Sequence, residues 1–337
     1  MLVVASDAHR AHVSLEIHNG IMSESHESPE RADGIAAALA VAGHEMVVPE
    51  AVDLDLVRSV HTTEYVDFLS TAWERWSERE TGPAAMSFMW PARGFGDARP
   101  DDLIGQLGYH SFAADTTIVP GTWEAITAAA AIATTAADRL LDTRATTYGL
   151  CRPPGHHAST DQFGGYCYLN NAGIAAQRLL DRGAQRVAII DVDYHHGNGT
   201  QSIFYDRSDV VFVSIHADPR EEFPWFAGHA DEVGVGPGEG WNLNVPLPRG
   251  ADRARWFDAL DTAAGYLDRS EVDAIVVSLG VDAYVGDPLG TFELTTDDFT
   301  VVAQRIAALD RPTVVIQEGG YAGEALGVNV AAFLAGC

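Results

Sequence analysis

The chain has 337 residues, 47% of them apolar, and a formal net charge of −27. That is apolar material enough for a sizeable core, in one large domain or two ordinary ones, and so acidic a chain is excluded as a general binder of phosphate backbones. Three cysteines make no disulfide framework and no uninterrupted apolar run reaches the ~18 residues of a membrane span, which together favour a cytoplasmic protein.

All 21 basic residues are arginine. The acidic excess reads as an adaptation to salt or as steering of a cationic substrate. The opening Met1-Leu2-Val3-Val4-Ala5-Ser6-Asp7 has no basic region and soon turns polar, so it reads as a first strand, not a signal peptide. Ser28-Pro29-Glu30-Arg31 opens a helix that ends near Gly43, with Ser28 as cap and Pro29 at its first position. A second helix begins at Thr62-Thr63 and continues to about Trp76. Over 77–120 the pattern breaks up into Gly, Pro and Arg with scattered aromatics (Phe88, Trp90, Phe95, Tyr109, Phe112). That is too long for an ordinary connection, and predicts a functional insert or an interface. An Ala-rich helix follows over 123–141.

Thereafter strands alternate with helices. Strands are predicted over 147–151, 186–192, 210–216, 273–279 and 312–317, and helices over 171–180, 253–267 and 297–309. This rhythm predicts an α/β fold, a mostly parallel central sheet with helices on both faces. With no repeat and no clear linker, 1–337 reads as one domain carrying the insert.

Four predicted strands run directly into polar clusters. They are Arg152-Pro153-Pro154-Gly155-His156-His157, Asp191-Val192-Asp193-Tyr194-His195-His196-Gly197-Asn198-Gly199, Gly280-Val281-Asp282, and Glu318-Gly319-Gly320-Tyr321. In a parallel sheet all four ends share one edge, where α/β sites are built. Asp193 and His195 are two apart, so on a strand they point the same way. With Asp282 they would make a three-ligand zinc site with one position open, the catalytic pattern. His156 and His157 would supply general base and general acid. Asp191 and Asn198 would stand behind them, a carboxylate and an amide giving the two imidazoles different proton affinities. Tyr321 offers a hydroxyl to an oxyanion. Tyr166, in Phe163-Gly164-Gly165-Tyr166, and Phe223, in Phe223-Pro224-Trp225, would wall a channel. His216 could stand behind the ligands, the remaining histidines read as surface or core, and Cys151 and Cys167 as small buried residues.

These segments resemble the histone deacetylase superfamily, and most of all its bacterial acetylpolyamine amidohydrolases. The resemblance runs nearly end to end and includes Cys167-Tyr168-Leu169-Asn170-Asn171 and Pro120-Gly121-Thr122-Trp123-Glu124-Ala125. It implies the arginase–deacetylase sheet, with one zinc ion per chain on Asp193, His195 and Asp282. The paired histidines would be His156 and His157, and Tyr321 would polarise the carbonyl. It also implies structural potassium, one ion at Asp191, Asp193, His195, Ser214 and Ile215 and another at Phe204, Arg207 and Val210. The substrate implied is a small cationic acetylated amine, and the assembly a homodimer meeting through the insert. Polyamine-type members carry acidic residues in that insert. Here one such position is Ile104 and the other Asp115, which leaves an acetyl-lysine peptide as an alternative substrate. The related manganese ureohydrolases carry a further carboxylate where this chain has Gly280, and their first metal cluster reads Asp-x-His-x-Asp. A non-catalytic acyl-amine binder would usually lack a ligand or the tyrosine, and this chain has both.

Overall fold

The computed structural model describes every residue except Asn19, Glu80, Thr81 and Phe95, so Phe95 of the insert lies outside the described residues. The chain runs β1 (Leu2–Val4), β2 (Leu15–His18), β3 (Ile21–Glu24), α1 (Pro29–Val41), β4 (Glu45–Val47), α2 (Leu54–Val60), α3 (Thr63–Ser77), α4 (Leu103–Tyr109) and α5 (Thr122–Thr143). It continues through β5 (Thr147–Gly149), α6 (Asn171–Asp181), β6 (Val187–Asp191), α7 (Asn198–Phe204), β7 (Val210–Ala217), β8 (Asn242–Leu247), α8 (Arg253–Asp268), β9 (Ala274–Leu279), α9 (Thr296–Ala307), β10 (Thr313–Gln317) and α10 (Glu324–Ala335). Eight strands form one parallel sheet in the order β4-β1-β5-β10-β9-β6-β7-β8. β2 and β3 make a separate antiparallel hairpin.

The sheet's interior strands are buried on both faces, the property that made them apolar runs in the sequence. Their side chains alternate between two cores. On one face Val187, Ile189 and Val276 pack under residues of α2, α3, α5 and α6. On the other, Ala188, Ile190 and Val277 pack under α1, α8, α9 and α10. Among the described residues no helix is long and apolar enough to cross a membrane.

Two of the predicted helices are capped by side chains at their starts. The Thr62 side chain accepts from the Tyr65 N–H at the head of α3. Asn170 accepts from the Gly173 N–H at the head of α6, 2.7 Å. Ser28 stands at the cap position of α1, but its side chain makes no capping bond to the helix. Pro29 occupies the first turn, where a missing N–H costs nothing.

Candidate active site

The four expected strand ends are those of β5, β10, β9 and β6, four neighbours at the centre of the sheet. Their following loops therefore open side by side on one edge. The ligand atoms of Asp193, His195 and Asp282 all lie within 4.8 Å of one another.

They do not meet by strand alternation, as the two-residue spacing had suggested. β6 ends at Asp191, and 193–195 form a turn. Backbone N–H groups of that turn fold onto the carboxylates. Asp193 N–H donates to Asp191 Oδ1 (3.1 Å), His195 N–H to Asp193 Oδ1 (2.9 Å), and Tyr194 N–H to Asp282 Oδ1 (2.8 Å). Across the edge, Gly319 N–H donates to Asp193 Oδ2 at 2.8 Å. His195 Nδ1 lies 3.1 Å from Asp282 Oδ2 and 3.3 Å from Asp193 Oδ1.

Burial opposes charge on His195, but the carboxylates of Asp193 and Asp282 outweigh it and raise the imidazole to about 10. Two buried carboxylates face one imidazole, and among the described residues no arginine forms an ion pair with either. Burial, then the charge of Asp193, pushes Asp282 up to about 7. Two carboxylates and an imidazole suit a divalent metal ion. Close glycines make room for the group. A Cβ on Gly280 would lie 2.0 Å from Asp193 Oδ2, and one on Gly319 would lie 2.5 Å from it and 2.7 Å from Asp282 Oδ2. Gly280 thus has no space for the further carboxylate of a binuclear site.

The tandem histidines stand beside this group, ring centroids 4.0 Å apart. His156 Nδ1 lies 3.0 Å from Asp191 Oδ2. His157 Nδ1 lies 2.7 Å from Asn198 Oδ1, at the head of α7. Burial lowers the proton affinity of both. For His156 the carboxylates of Asp193 and Asp191 outweigh it and raise the imidazole to about 10. For His157 burial is joined by the charges of His156 and His195, which hold the ring well below the usual histidine range. The two imidazoles thus differ sharply in proton affinity.

A histone deacetylase domain model matches residues 25–337. Acetylpolyamine amidohydrolase 2 of Pseudomonas aeruginosa is 45% identical over 100% of this chain and 98% of its own length. The acetylpolyamine amidohydrolase of Mycoplana ramosa is 45% identical over 100% of this chain and 99% of its own. The crystal structure of an acetylpolyamine aminohydrolase from Burkholderia pseudomallei superposes with a TM-score of 0.96 at 39% identity, covering 100% of this chain and 98% of that one.

The chain belongs to the histone deacetylase domain family. Its mostly parallel sheet is the arginase–deacetylase sheet expected from the resemblance.

Around this cluster the residues expected to wall a channel take definite places. The Phe223 ring meets His157 edge-on at 5.0 Å, with His195 at 6.1 Å and Phe112 stacked at 6.1 Å. Opposite, Tyr166 meets the Tyr321 ring edge-on at 5.8 Å. Trp225 is exposed. Gly165, with φ of +57°, runs so close to His157 that a Cβ there would lie 2.3 Å from its Cδ2.

One oxygen of Asp115 is engaged within the chain. Its Oδ1 accepts from the Gly165 N–H (2.9 Å) and the Thr116 hydroxyl (2.7 Å), bracing the turn that carries Tyr166. Ile104 lies on α4, partly buried against the core, with no hydrogen bond or ring contact to the site among the described residues. His216 faces Ser214 Oγ (2.8 Å) and the Gly228 carbonyl (2.9 Å), so it braces the loop carrying Phe223 and makes no hydrogen bond to Asp193, His195 or Asp282 among the described residues. Cys151 and Cys167 are buried free thiols, as expected.

Sequence reasoning missed four residues here. Glu16, on β2, is buried and accepts from the Tyr166 hydroxyl at 2.6 Å. Glu318 accepts from the N–H groups of Gly155 (2.6 Å) and His156 (3.1 Å) and from the Ser278 hydroxyl (3.1 Å), tying three strand ends together. Arg31, on α1, donates to the carbonyls of Glu318 (2.8 Å) and Gly320 (2.7 Å) and lies over the Tyr321 ring at 4.5 Å. Asp287 accepts from the Tyr321 N–H at 2.6 Å. Glu318 sits inside a recognised motif, but no local pattern marks the tasks of the other three.

Proposed function

We propose that this protein is a zinc-dependent amidohydrolase that removes an acetyl group from acetylated amines, with acetylpolyamines as the preferred substrates. The observation that carries this is the convergence of Asp193, His195 and Asp282 with a polarised histidine pair on one sheet edge. Asp193, His195 and Asp282 would hold one zinc ion, which when bound supplies Lewis acidity to a carbonyl and to water.

His157, neutral and oriented by the Asn198 amide, is the group able to take a proton from the attacking water and return it to the leaving nitrogen. His156 stays charged against Asp191 and offsets developing negative charge. Burial holds the Tyr321 phenol well above its ordinary value, so it stays protonated and able to donate to the carbonyl oxygen. Phe223, Tyr166 and Phe112 form apolar walls that exclude water from the acyl chain.

The acetylpolyamine reading draws on the relatives' names and on charge. The Glu16 carboxylate sits behind Tyr166, and the chain carries a net charge of −27, both favouring a cationic amine. An acetyl-lysine peptide is the second reading, favoured by the apolar Ile104 and by the engagement of Asp115. Potassium at the two positions expected from the resemblance belongs to the same proposal, supported by Asp191 and Ser214 being register partners on β6 and β7. So does a homodimer through the insert, supported by the exposed Phe88 and Met89.

The test is a titration of metal-free protein with zinc while turnover of acetylputrescine is followed. Activity should rise to a plateau at one equivalent per chain. Turnover that ignores zinc, or that needs two equivalents, would overturn the assignment.

A further inference from the structure

Asp287 is a buried carboxylate with no part in the chemistry above, and it holds the backbone of Tyr321. Residues 318–322 lie outside any helix or strand. Gly320 has φ of +121° and Gly323 φ of +52°, so the two glycines flanking Tyr321 leave its backbone many alternatives. The phenol can stand at the site only if the backbone is held from outside. Arg31 grips the carbonyls on the approach, at Glu318 and Gly320. The N–H of Tyr321 itself goes to Asp287 Oδ2 at 2.6 Å, a charge-assisted bond.

The holder is rigid. Asp287 donates its own N–H to the Tyr284 carbonyl (3.0 Å), and its other oxygen accepts from the Leu289 N–H (2.9 Å). It follows Asp282 on the same loop after β9, so one short segment carries a metal-ligand candidate and the anchor of the tyrosine.

We propose that Asp287 is a positioning residue for Tyr321, fixing by its grip on the backbone N–H where the phenol hydroxyl meets the substrate carbonyl. This rests on the reading of Tyr321 as the carbonyl-polarising group. Loss of the grip frees the Glu318–Gly323 segment and lowers turnover while leaving substrate capture to the channel walls and Glu16.

The experiment is steady-state kinetics of the zinc-loaded full chain on acetylputrescine, with zinc content checked in every variant. The variants are Asp287→Ala, Asp287→Asn, Tyr321→Phe, and Asp287→Ala combined with Tyr321→Phe. Asp287→Ala should lower kcat by ~30-fold or more with KM within ~3-fold, as expected for an interaction made in the transition state. Asp287→Asn keeps an oxygen for the same N–H and should recover kcat to within about 5-fold of the parent. In the Tyr321→Phe background, Asp287→Ala should change kcat by less than about 2-fold, since the hydroxyl it positions is gone.

An undiminished kcat in Asp287→Ala, failure of Asn to rescue, or a full further loss in the Tyr321→Phe background overturns the proposal. The last result would give Asp287 a purely structural role. If Tyr321→Phe alone keeps the parent kcat, the reading of Tyr321 falls and this proposal falls with it. If Asp287→Ala does not fold, Asp287→Ser, too short to reach the N–H, takes its place with the same expected loss.

Discussion

Replacing Gly280 by alanine should destroy the proposed metal site while leaving the fold intact. A Cβ built there lies 2.0 Å from Asp193 Oδ2, 2.4 Å from its Cγ and 2.6 Å from its Cα. Ordinary contact begins at 3.4 Å, so the oxygen falls short by about 1.4 Å in an interior that is close-packed. Rotating the carboxylate does not help, because the Cα is also too near. The turn itself must move, carrying Asp193 with it. Metal ligands tolerate displacements of only about 0.2 Å from ideal distances, so a shift several times larger removes a ligand. Even loss of an outer partner weakens binding ~10–100-fold, and zinc affinity here should fall by at least ~100-fold with activity falling in step. The assay is a competition titration with a chromophoric chelator, run beside thermal unfolding of the metal-free proteins. Gly34→Ala is the control. It lies on α1 with nothing within 4 Å of its Cβ, and should add up to about 1 kcal/mol of stability without touching the metal. A Gly280→Ala protein that binds one zinc within about 3-fold of the parent affinity and turns over normally would refute the reasoning.

Three other outcomes follow from the same geometry. His12, His61 and His216 are held at about 4 by burial, against an ordinary 6.5, so the unfolded chain takes up their protons first as pH falls. Their stabilisation is complete above 6.5 and is lost as pH falls toward about 4; each should remove about 1.3 kcal/mol between pH 7.5 and 5.5. Urea unfolding at the two pH values checks this, and unchanged stability would contradict it. Asn198→Asp puts a carboxylate behind His157 and should move the acid limb of the kcat/KM profile upward by about one pH unit or more, with no movement counting against His157 as the base. Glu16→Gln should raise KM for acetylputrescine several-fold while hardly changing KM for an acetyl-lysine peptide, and equal effects would remove Glu16 from amine recognition.

The central strands were legible because they are buried on both faces and are therefore written as apolar runs. The sheet's two edges were not. β4 is only three residues, Glu45-Met46-Val47, and β8 reads Asn242-Leu243-Asn244-Val245-Pro246-Leu247. Short strands, polar residues and proline are how edges avoid pairing with other chains, and they erase the strand signal. The hairpin of β2 and β3 was missed as well, and Glu16 with it.

At the site, the residue types announced themselves because chemistry concentrates Asp and His at strand ends. Their convergence has a different physical cause from the one the spacing suggested. It is the 193–195 turn, folded onto its own carboxylates, that aims Asp193 and His195. The tasks of Asp287 and Glu318 stayed hidden because they act on backbone N–H groups far away in sequence, a contact that any residue type at the far end would offer. Asp115 carries the right chemistry for docking an ammonium, and one of its two oxygens, Oδ1, is engaged by Gly165 and Thr116.

The most direct measurement is kcat/KM of the zinc-loaded protein for acetylputrescine, acetylspermidine and an acetyl-lysine peptide, side by side. A preference of ~100-fold or more for the polyamines, about 2.7 kcal/mol of transition-state binding, is the expected result. A preference for the peptide would contradict the acetylpolyamine assignment, and no hydrolysis of any of the three by fully zinc-loaded protein would contradict the deacetylase itself.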